Sequence, residues 1–164
     1  MPTERPNPTL THTHCTTYEH PPAGLTVWRA AENMNQFIFA QPQRVAGARV
    51  AELGAGLGIT SILLEKMGCC RRVLATDGCP DTVALFEKNM RDNACDGAVL
   101  VAKELMWGEG AEEEEDIGAY DVILASDVIY EKEAILPLLK SMEVGTTTAD
   151  VMHHTPCTMR HHPH

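Results

Sequence analysis

The sequence predicts an α/β fold with a mainly parallel sheet flanked by helices. Short apolar and β-branched runs, typical of buried strands, alternate with segments whose apolar residues recur at helical spacing. Consecutive strands joined through helices are parallel, because a parallel pair needs a long crossover connection. With 164 residues, of which 44% are hydrophobic, the chain has the size and the apolar content of one domain with a substantial core.

The first half of the chain begins with a predicted helix, because apolar residues recur at helical spacing between Arg29 and Ala40 until Pro42 ends the helix. The run ARVAEL over 48–53 predicts the first strand. A second helix follows, with Ile59, Ile62, Leu63 and Met67 as its inward stripe and Gly68 as its end.

The second half continues the alternation. RVLAT over 72–76 predicts the second strand, and Pro80 suits the first turn of a helix whose Val83, Phe86 and Met90 face inward. Further strands are predicted at 98–102 and 120–126, and a last helix ends at Glu143. From Gly145 onward we find no strand or helix pattern, so the predicted sheet has four strands.

These patterns divide the chain into three parts. Residues 1–23 are rich in proline and polar residues and are expected to form a disordered tail. Residues 24–145 form the predicted domain, and residues 146–164 an irregular, histidine-rich tail. The run EGAEEEED over 109–116 is expected to be a solvated loop, because adjacent carboxylates are costly to bury.

Charge and composition limit the classes of binding partner that we expect. The formal net charge is −10, which disfavours nucleic acid and favours a basic protein partner. No signal peptide or membrane segment is recognisable, so we expect a protein of the cytoplasm, or also of the nucleus, with no membrane partner. The six cysteines show no zinc-site or disulfide spacing, and the C-terminal histidines lack an ordered frame, so we predict no metal site and a reducing compartment.

A glycine-rich turn is the candidate ligand-binding element of this sequence. Gly54, Gly56 and Gly58 follow a strand and open a helix, where the backbone can approach a ligand closely. Ile59 occupies the place of the third glycine of a dinucleotide fingerprint, which disfavours a nicotinamide-dependent oxidoreductase. Glu52 can meet a cationic amino group and would repel a pyrophosphate. Asp77, at the tip of the second strand, can accept hydrogen bonds from ribose hydroxyls.

Five segments, in this order, resemble the class I seven-strand methyltransferases, and among them methyltransferase family 16, which includes many protein-lysine methyltransferases. The segments are LTVWRAAE, AELGAGLGITS, VLATDG, KELMWGEG and DVILASDVIYEKEAILPLL. The resemblance spans residues 24–143. It implies a Rossmann-like fold, S-adenosyl-L-methionine as cofactor and transfer of a methyl group to a protein side chain, with lysine favoured.

The resemblance also implies roles for individual residues of the cofactor site. Trp28 would border the methionine end of the cofactor, and Gly54, Ala55 and Gly56 would form the loop beneath it. Asp77 would hold the ribose. Two further positions complete the set: Trp107 beside the adenine and Ser126 as the small residue against the cofactor.

The catalytic positions implied by the resemblance are Asp127 and Tyr130. They match the family's D-x-x-Y element at the mouth of the active site, associated with the target side chain. The family more often has G-A-D where this chain has Ala125, Ser126 and Asp127.

Two functions remain open at this stage. The resemblance implies seven strands, whereas the strand pattern ends after the fourth, which would leave that strand as an exposed edge. The chain is therefore expected to be either an active protein methyltransferase or a truncated, catalytically silent fragment that binds the cofactor or another protein.

Overall fold

The computed structural model describes residues 27–108, 120–129, 131–144 and 150–154. Strands and helices alternate along these residues, as the sequence predicts. The helices are α1 (Arg29–Ala40), α2 (Ile59–Met67), α3 (Pro80–Asp92) and α4 (Ile135–Val144), and the strands are β1 (Arg49–Leu53), β2 (Arg72–Asp77), β3 (Leu100–Glu104), β4 (Val122–Ser126) and β5 (Asp150–His154).

The strands form one parallel sheet in the order β3-β2-β1-β4-β5. β1 is central: Val50 lies opposite Val73 of β2 on one side and Val122 of β4 on the other. The strand order therefore reverses at β1, with β2 and β3 to one side and β4 and β5 to the other. Such a reversal opens a crevice at the carboxyl ends of the strands.

Helices cover both faces of the sheet. On one face, side chains of α1, α2 and α3 pack on alternate strand residues such as Val50 and Val73; Phe86 of α3 is fully buried there. On the other face, Leu138 and Met142 of α4 pack on a second set of strand residues. The predicted α/β fold with a parallel sheet flanked by helices is confirmed.

Most predicted boundaries agree with the structure to within two residues, because glycine and proline mark them. Gly68, with φ +62°, ends α2, and Pro80 begins α3. β3 begins two residues later than predicted. Asp96 explains the delay, since its side chain accepts a hydrogen bond from the amide of Ala98 (2.8 Å) and its carbonyl accepts one from Leu100 (2.9 Å).

A fifth strand corrects the prediction for the C-terminal segment. Asp150–His154 pairs in parallel with β4, so the expectation of an irregular segment over 146–164 is wrong for these five residues. β4 consequently has a partner on each side and is not the exposed edge that we expected. The segment DVMHH shows no sign of a strand in its sequence because its histidines break the apolar pattern that β4 shows.

Three predicted regions lie wholly or mostly outside the described residues: the tail over 1–23, the acidic run over 109–116 and the histidine-rich tail over 146–164, of which only Asp150–His154 is described. Within the described part of the chain, no helix is long and apolar enough to cross a membrane.

Candidate functional site

A cavity of about 310 Å³ opens at the carboxyl ends of β1, β2 and β4, where the strand order reverses. A volume of this size is at the lower end of the range for small-molecule sites. The cavity gathers every predicted site residue that the structure describes: Trp28, Glu52, Gly54, Ala55, Gly56, Asp77, Trp107, Ser126 and Asp127.

The glycine-rich turn after β1 forms the floor of the cavity, and two of its positions require glycine. Gly54 has φ +69°, and a Cβ there would lie 2.7 Å from Cγ1 of Val128 and 3.3 Å from the Trp107 ring. Gly58, with φ +79°, is the N-cap of α2, and a Cβ there would overlap the Phe86 ring. The turn therefore packs against the segments that follow β3 and β4 and against α3, with no room for a side chain at these two positions.

Hydrogen bonds within the protein already use two N–H groups of this turn. Ala55 donates to the carbonyl of Thr76 (2.8 Å), and Gly56 donates to Oδ2 of Asp77 (3.0 Å). A phosphate-binding turn instead directs free N–H groups at its anion. The turn is thus shaped for close approach of a ligand but offers few donors to a phosphate.

Asp77 connects the glycine-rich turn to α3. Its Oδ2 accepts the Gly56 amide, and its Oδ1 accepts the amide of Cys79 at 3.0 Å. Burial raises the pKa of the Asp77 carboxyl, and these two hydrogen bonds oppose the rise. Each carboxylate oxygen retains a second lone pair, so Asp77 can also accept hydrogen bonds from a ligand.

Glu52 is the second carboxyl group of the cavity, and it is 4% exposed. Its Oε2 accepts a hydrogen bond from the Ser61 hydroxyl at 2.5 Å. Burial raises the pKa of Glu52 from 4.5 to about 7, against the opposing effect of the hydrogen bond from Ser61. Because no cation compensates it in the described residues around the cavity, a positively charged ligand would stabilise the ionised form.

The wall on the β4 side consists of Ser126, Asp127 and Val128. The Ser126 hydroxyl is buried and has no hydrogen-bond partner among the described residues. Asp127 has φ +56°, a left-handed conformation that aspartate adopts more readily than most residues. Tyr130 lies outside the described residues, so its predicted role stays a prediction.

The two tryptophans stand on different elements of the cavity wall. Trp28 precedes the first turn of α1 and is 49% exposed, whereas Trp107 lies partly buried in the turn after β3. The Trp107 turn is fastened to α4, since the Gly108 amide donates to Oγ of Ser141 at 3.0 Å.

Sequence reasoning missed several lining residues, mostly apolar neighbours of the predicted motifs. These residues could have been predicted because they are sequence neighbours of the predicted ones. Met106 stands beside Trp107, Val27 beside Trp28, and Gly78 and Cys79 directly after Asp77. No group of three histidine, cysteine or acidic residues that could hold a metal ion occurs in the described ranges.

Comparison with known proteins identifies a family that this chain matches. A family model described as lysine methyltransferase, methyltransferase family 16, matches residues 11–161. The protein-lysine N-methyltransferase EFM3 of Chaetomium thermophilum is 32% identical over 85% of this chain and 44% of its own length. The protein N-lysine methyltransferase METTL21A of Danio rerio is 35% identical over 71% of this chain and 53% of its own. The chain thus spans about half the length of these relatives.

Solved structures share the fold at low sequence identity. An S-adenosylmethionine-dependent methyltransferase, SibL, has a TM-score of 0.59 and 17% identity, covering 75% of this chain and 35% of the other. The methyltransferase domain of a bacterial Hen1 (CtHen1-CN) has a TM-score of 0.54 and 14% identity, covering 69% and 57%. These similarities support the Rossmann-like fold.

Proposed function

Because the chain belongs to methyltransferase family 16, the lysine methyltransferases, we propose that it binds S-adenosylmethionine and transfers the methyl group to a lysine side chain of a protein. The observation that carries the proposal is the polarity of the cavity at the glycine-rich turn. Glu52 and Asp77 line the cavity beside this turn and a third carboxyl group, Asp127, lines its β4 side, while the amides of Ala55 and Gly56 are bonded within the protein.

This polarity suits S-adenosylmethionine better than a nicotinamide dinucleotide. A pyrophosphate would meet the carboxyl groups and find two of the nearby amides already used, whereas a cationic amino group and ribose hydroxyls supply the charge and the donors that carboxylates accept. Glu52 would hold the amino group and Asp77 the ribose.

The remaining cavity residues suit the other parts of the cofactor. Trp107 offers an aromatic face for the adenine, and Trp28 borders the methionine end in our proposal. Gly54 lets the backbone lie directly beneath the ligand. The Ser126 hydroxyl, buried without a partner in the described structure, would gain one from the ligand, which removes the cost of an unmade hydrogen bond.

The chemistry of transfer needs alignment more than acid–base catalysis. When bound, S-adenosylmethionine supplies a methyl group on a positively charged sulfur, which a neutral amine attacks in line. Asp127, which lines the cavity, would orient the lysine amine together with Tyr130, and the Asp127 carboxylate would accept the proton that the amine must lose before it attacks the methyl group. The net charge of −10 favours a substrate with basic residues around that lysine. A reducing compartment, cytoplasm or nucleus, is the expected setting.

Calorimetry tests the cofactor step. The full chain should bind S-adenosylmethionine, and Asp77→Ala should weaken binding at least about tenfold, because the carboxylate both contacts the ribose and shapes the turn. Glu87→Ala, an exposed carboxylate on α3, is the matched control and should bind like the wild type. Equal affinity of wild type and Asp77→Ala would contradict the assignment of Asp77.

A transfer assay tests the catalytic step. Tritiated cofactor and a cell lysate should label protein on lysine with the wild-type chain, whereas Asp127→Ala should lose labelling and keep its cofactor affinity within about twofold. Cofactor binding without any labelling would support the silent fragment instead. Equal loss of binding and labelling in Asp127→Ala would contradict the proposed role of Asp127.

A further inference from the structure

Two adjacent thiols lie far from the cavity, at the amino ends of the strands. Cys69 and Cys70 follow the end of α2, and their Sγ atoms are 3.9 Å apart. Both side chains are half-buried and pack against the apolar cluster beneath α1, α2 and α3. The glycine-rich turn lies at the other end of α2, a nine-residue helix of about 13 Å.

The backbone on both sides of the pair is fixed. The carbonyl of Cys69 accepts a hydrogen bond from the Gly47 amide at 2.7 Å, and the Arg71 amide donates to the Ala48 carbonyl at 2.8 Å. These bonds fasten the two cysteines to the segment before β1. The fold therefore fixes the backbone around both cysteines, and packing against the same apolar cluster restricts both side chains.

The geometry disfavours a disulfide between these thiols. Adjacent Cα atoms are about 3.8 Å apart across a trans peptide, below the roughly 4.4 Å at which disulfide-bonded pairs begin. Burial and the neighbouring Cys69 raise the pKa of the Cys70 thiol to about 12, which leaves little of the thiolate that oxidation requires. A third atom bonded to both sulfur atoms would not require the two sulfurs to approach to the length of an S–S bond.

We propose that Cys69 and Cys70 form a two-thiol site that chelates trivalent arsenic, as arsenous acid or a monosubstituted organic arsenical. Each S–H proton passes to an oxygen bound to arsenic, two As–O bonds break and two As–S bonds form. Arsenous acid thereby loses two water molecules, and phenylarsine oxide loses one. Arsenic and sulfur keep their oxidation states, so the reaction needs no oxidant.

The surrounding residues favour a ligand that bonds only to the two cysteine sulfurs over a metal ion that needs further protein ligands. In the described part of the chain, no third histidine, cysteine or acidic residue completes a metal-binding group with the pair. Soft sulfur donors select soft acceptors, and a three-coordinate arsenic centre needs only two of them beside its own substituent. Chelation by two thiols on one rigid turn adds the advantage of an intramolecular second bond.

Intact-mass spectrometry of the reduced full chain with phenylarsine oxide tests the proposal. We expect one adduct that survives excess monothiol and is removed by 2,3-dimercaptopropanol, the signature of a chelate. Cys69→Ser and Cys70→Ser should each lose this resistance to monothiol, whereas Cys95→Ser should keep it. Retention of the resistant adduct in Cys69→Ser and Cys70→Ser, or its loss in Cys95→Ser, would overturn the proposal.

Peptide mapping of the wild-type chain provides a test that does not depend on folding of the variants. Phenylarsine oxide should protect the peptide containing Cys69 and Cys70 from alkylation by iodoacetamide, while the Cys95 peptide stays reactive. Alkylation of Cys69 and Cys70 at the unprotected rate would overturn the proposal. The result does not depend on whether the chain transfers methyl groups.

Discussion

At the scale of single residues, Glu52 is a buried carboxyl group whose ionised form lacks a compensating charge in the described residues around the cavity. Its carboxyl group is nearly inaccessible, accepts the Ser61 hydroxyl and has a pKa raised to about 7. The folded chain therefore binds a proton between pH 4.5 and 7 that the unfolded chain has released. Stability falls across this range as pH rises, because the ionised form is the one that burial penalises.

We accordingly expect Glu52→Gln to gain stability relative to the wild type as pH increases, by about 3 kcal/mol between pH 4.5 and pH 8 at most. Urea unfolding without cofactor at both pH values measures this difference. Glu104→Gln, an exposed carboxyl at the end of β3, is the control and should show little change. A difference between Glu52→Gln and wild type that is independent of pH would contradict the raised pKa of Glu52.

Gly58 is a second residue whose identity the structure dictates. Gly58→Ala would force a side chain into a left-handed conformation and into the buried Phe86 ring, so we expect a loss of about 2–5 kcal/mol. Gly68→Ala is the matched control, because Gly68 also has a positive φ but a Cβ there would meet no atom within 4 Å. That variant should lose only about 1–2 kcal/mol. Chemical denaturation that gives both variants the same loss would contradict the packing argument.

At the scale of elements, α4 positions the Trp107 turn through one hydrogen bond and one close contact. The fully buried Ser141 accepts the Gly108 amide, and a Cβ at Gly108 would lie 3.0 Å from Cα and Cβ of Pro137. The turn that carries Trp107 therefore follows the position of the helix.

Ser141→Ala should release this turn at a cost of about 1 kcal/mol, with Trp107 becoming more accessible to solvent. Acrylamide quenching of fluorescence in a Trp28→Phe background isolates Trp107 and measures the change. Lys132→Ala, an exposed residue just before α4, should leave the quenching unchanged. Unchanged quenching in Ser141→Ala would show that the contact with Pro137 alone holds the turn.

The elements differ in how well sequence alone predicts them. Those bounded by glycine or proline were predicted closely, as α2 and α3 show, because these residues restrict the backbone locally. β3 begins later than predicted because of the hydrogen bonds that Asp96 accepts. β5 was not predicted because it forms through pairing with β4 and has no apolar pattern of its own. The motifs predicted the polar and aromatic residues of the cavity but not several apolar neighbours. The use of the Ala55 and Gly56 amides depends on tertiary contacts that no local pattern contains.

At the scale of the whole molecule, β5 closes the side of the sheet that would otherwise expose β4. A chain that ends at residue 149 leaves the backbone groups of Val122–Ser126 unpaired on one side. We expect it to unfold at lower urea concentration than a chain that ends at residue 154 and to aggregate more readily. Urea unfolding and light scattering measure both effects. Equal stability of the two chains would contradict the contribution of β5.

The position of β1 at the centre of the sheet also determines the order in which the strands can pair during folding. β1 pairs with β2 across a short stretch of chain, but its other neighbour, β4, begins 72 residues after Val50. Long-range pairing pays a larger loop-closure entropy and is expected to form late. Since Ser126, Asp127 and Val128 reach the cavity only when β4 is in place, ligand binding should be the last property that a refolding chain acquires.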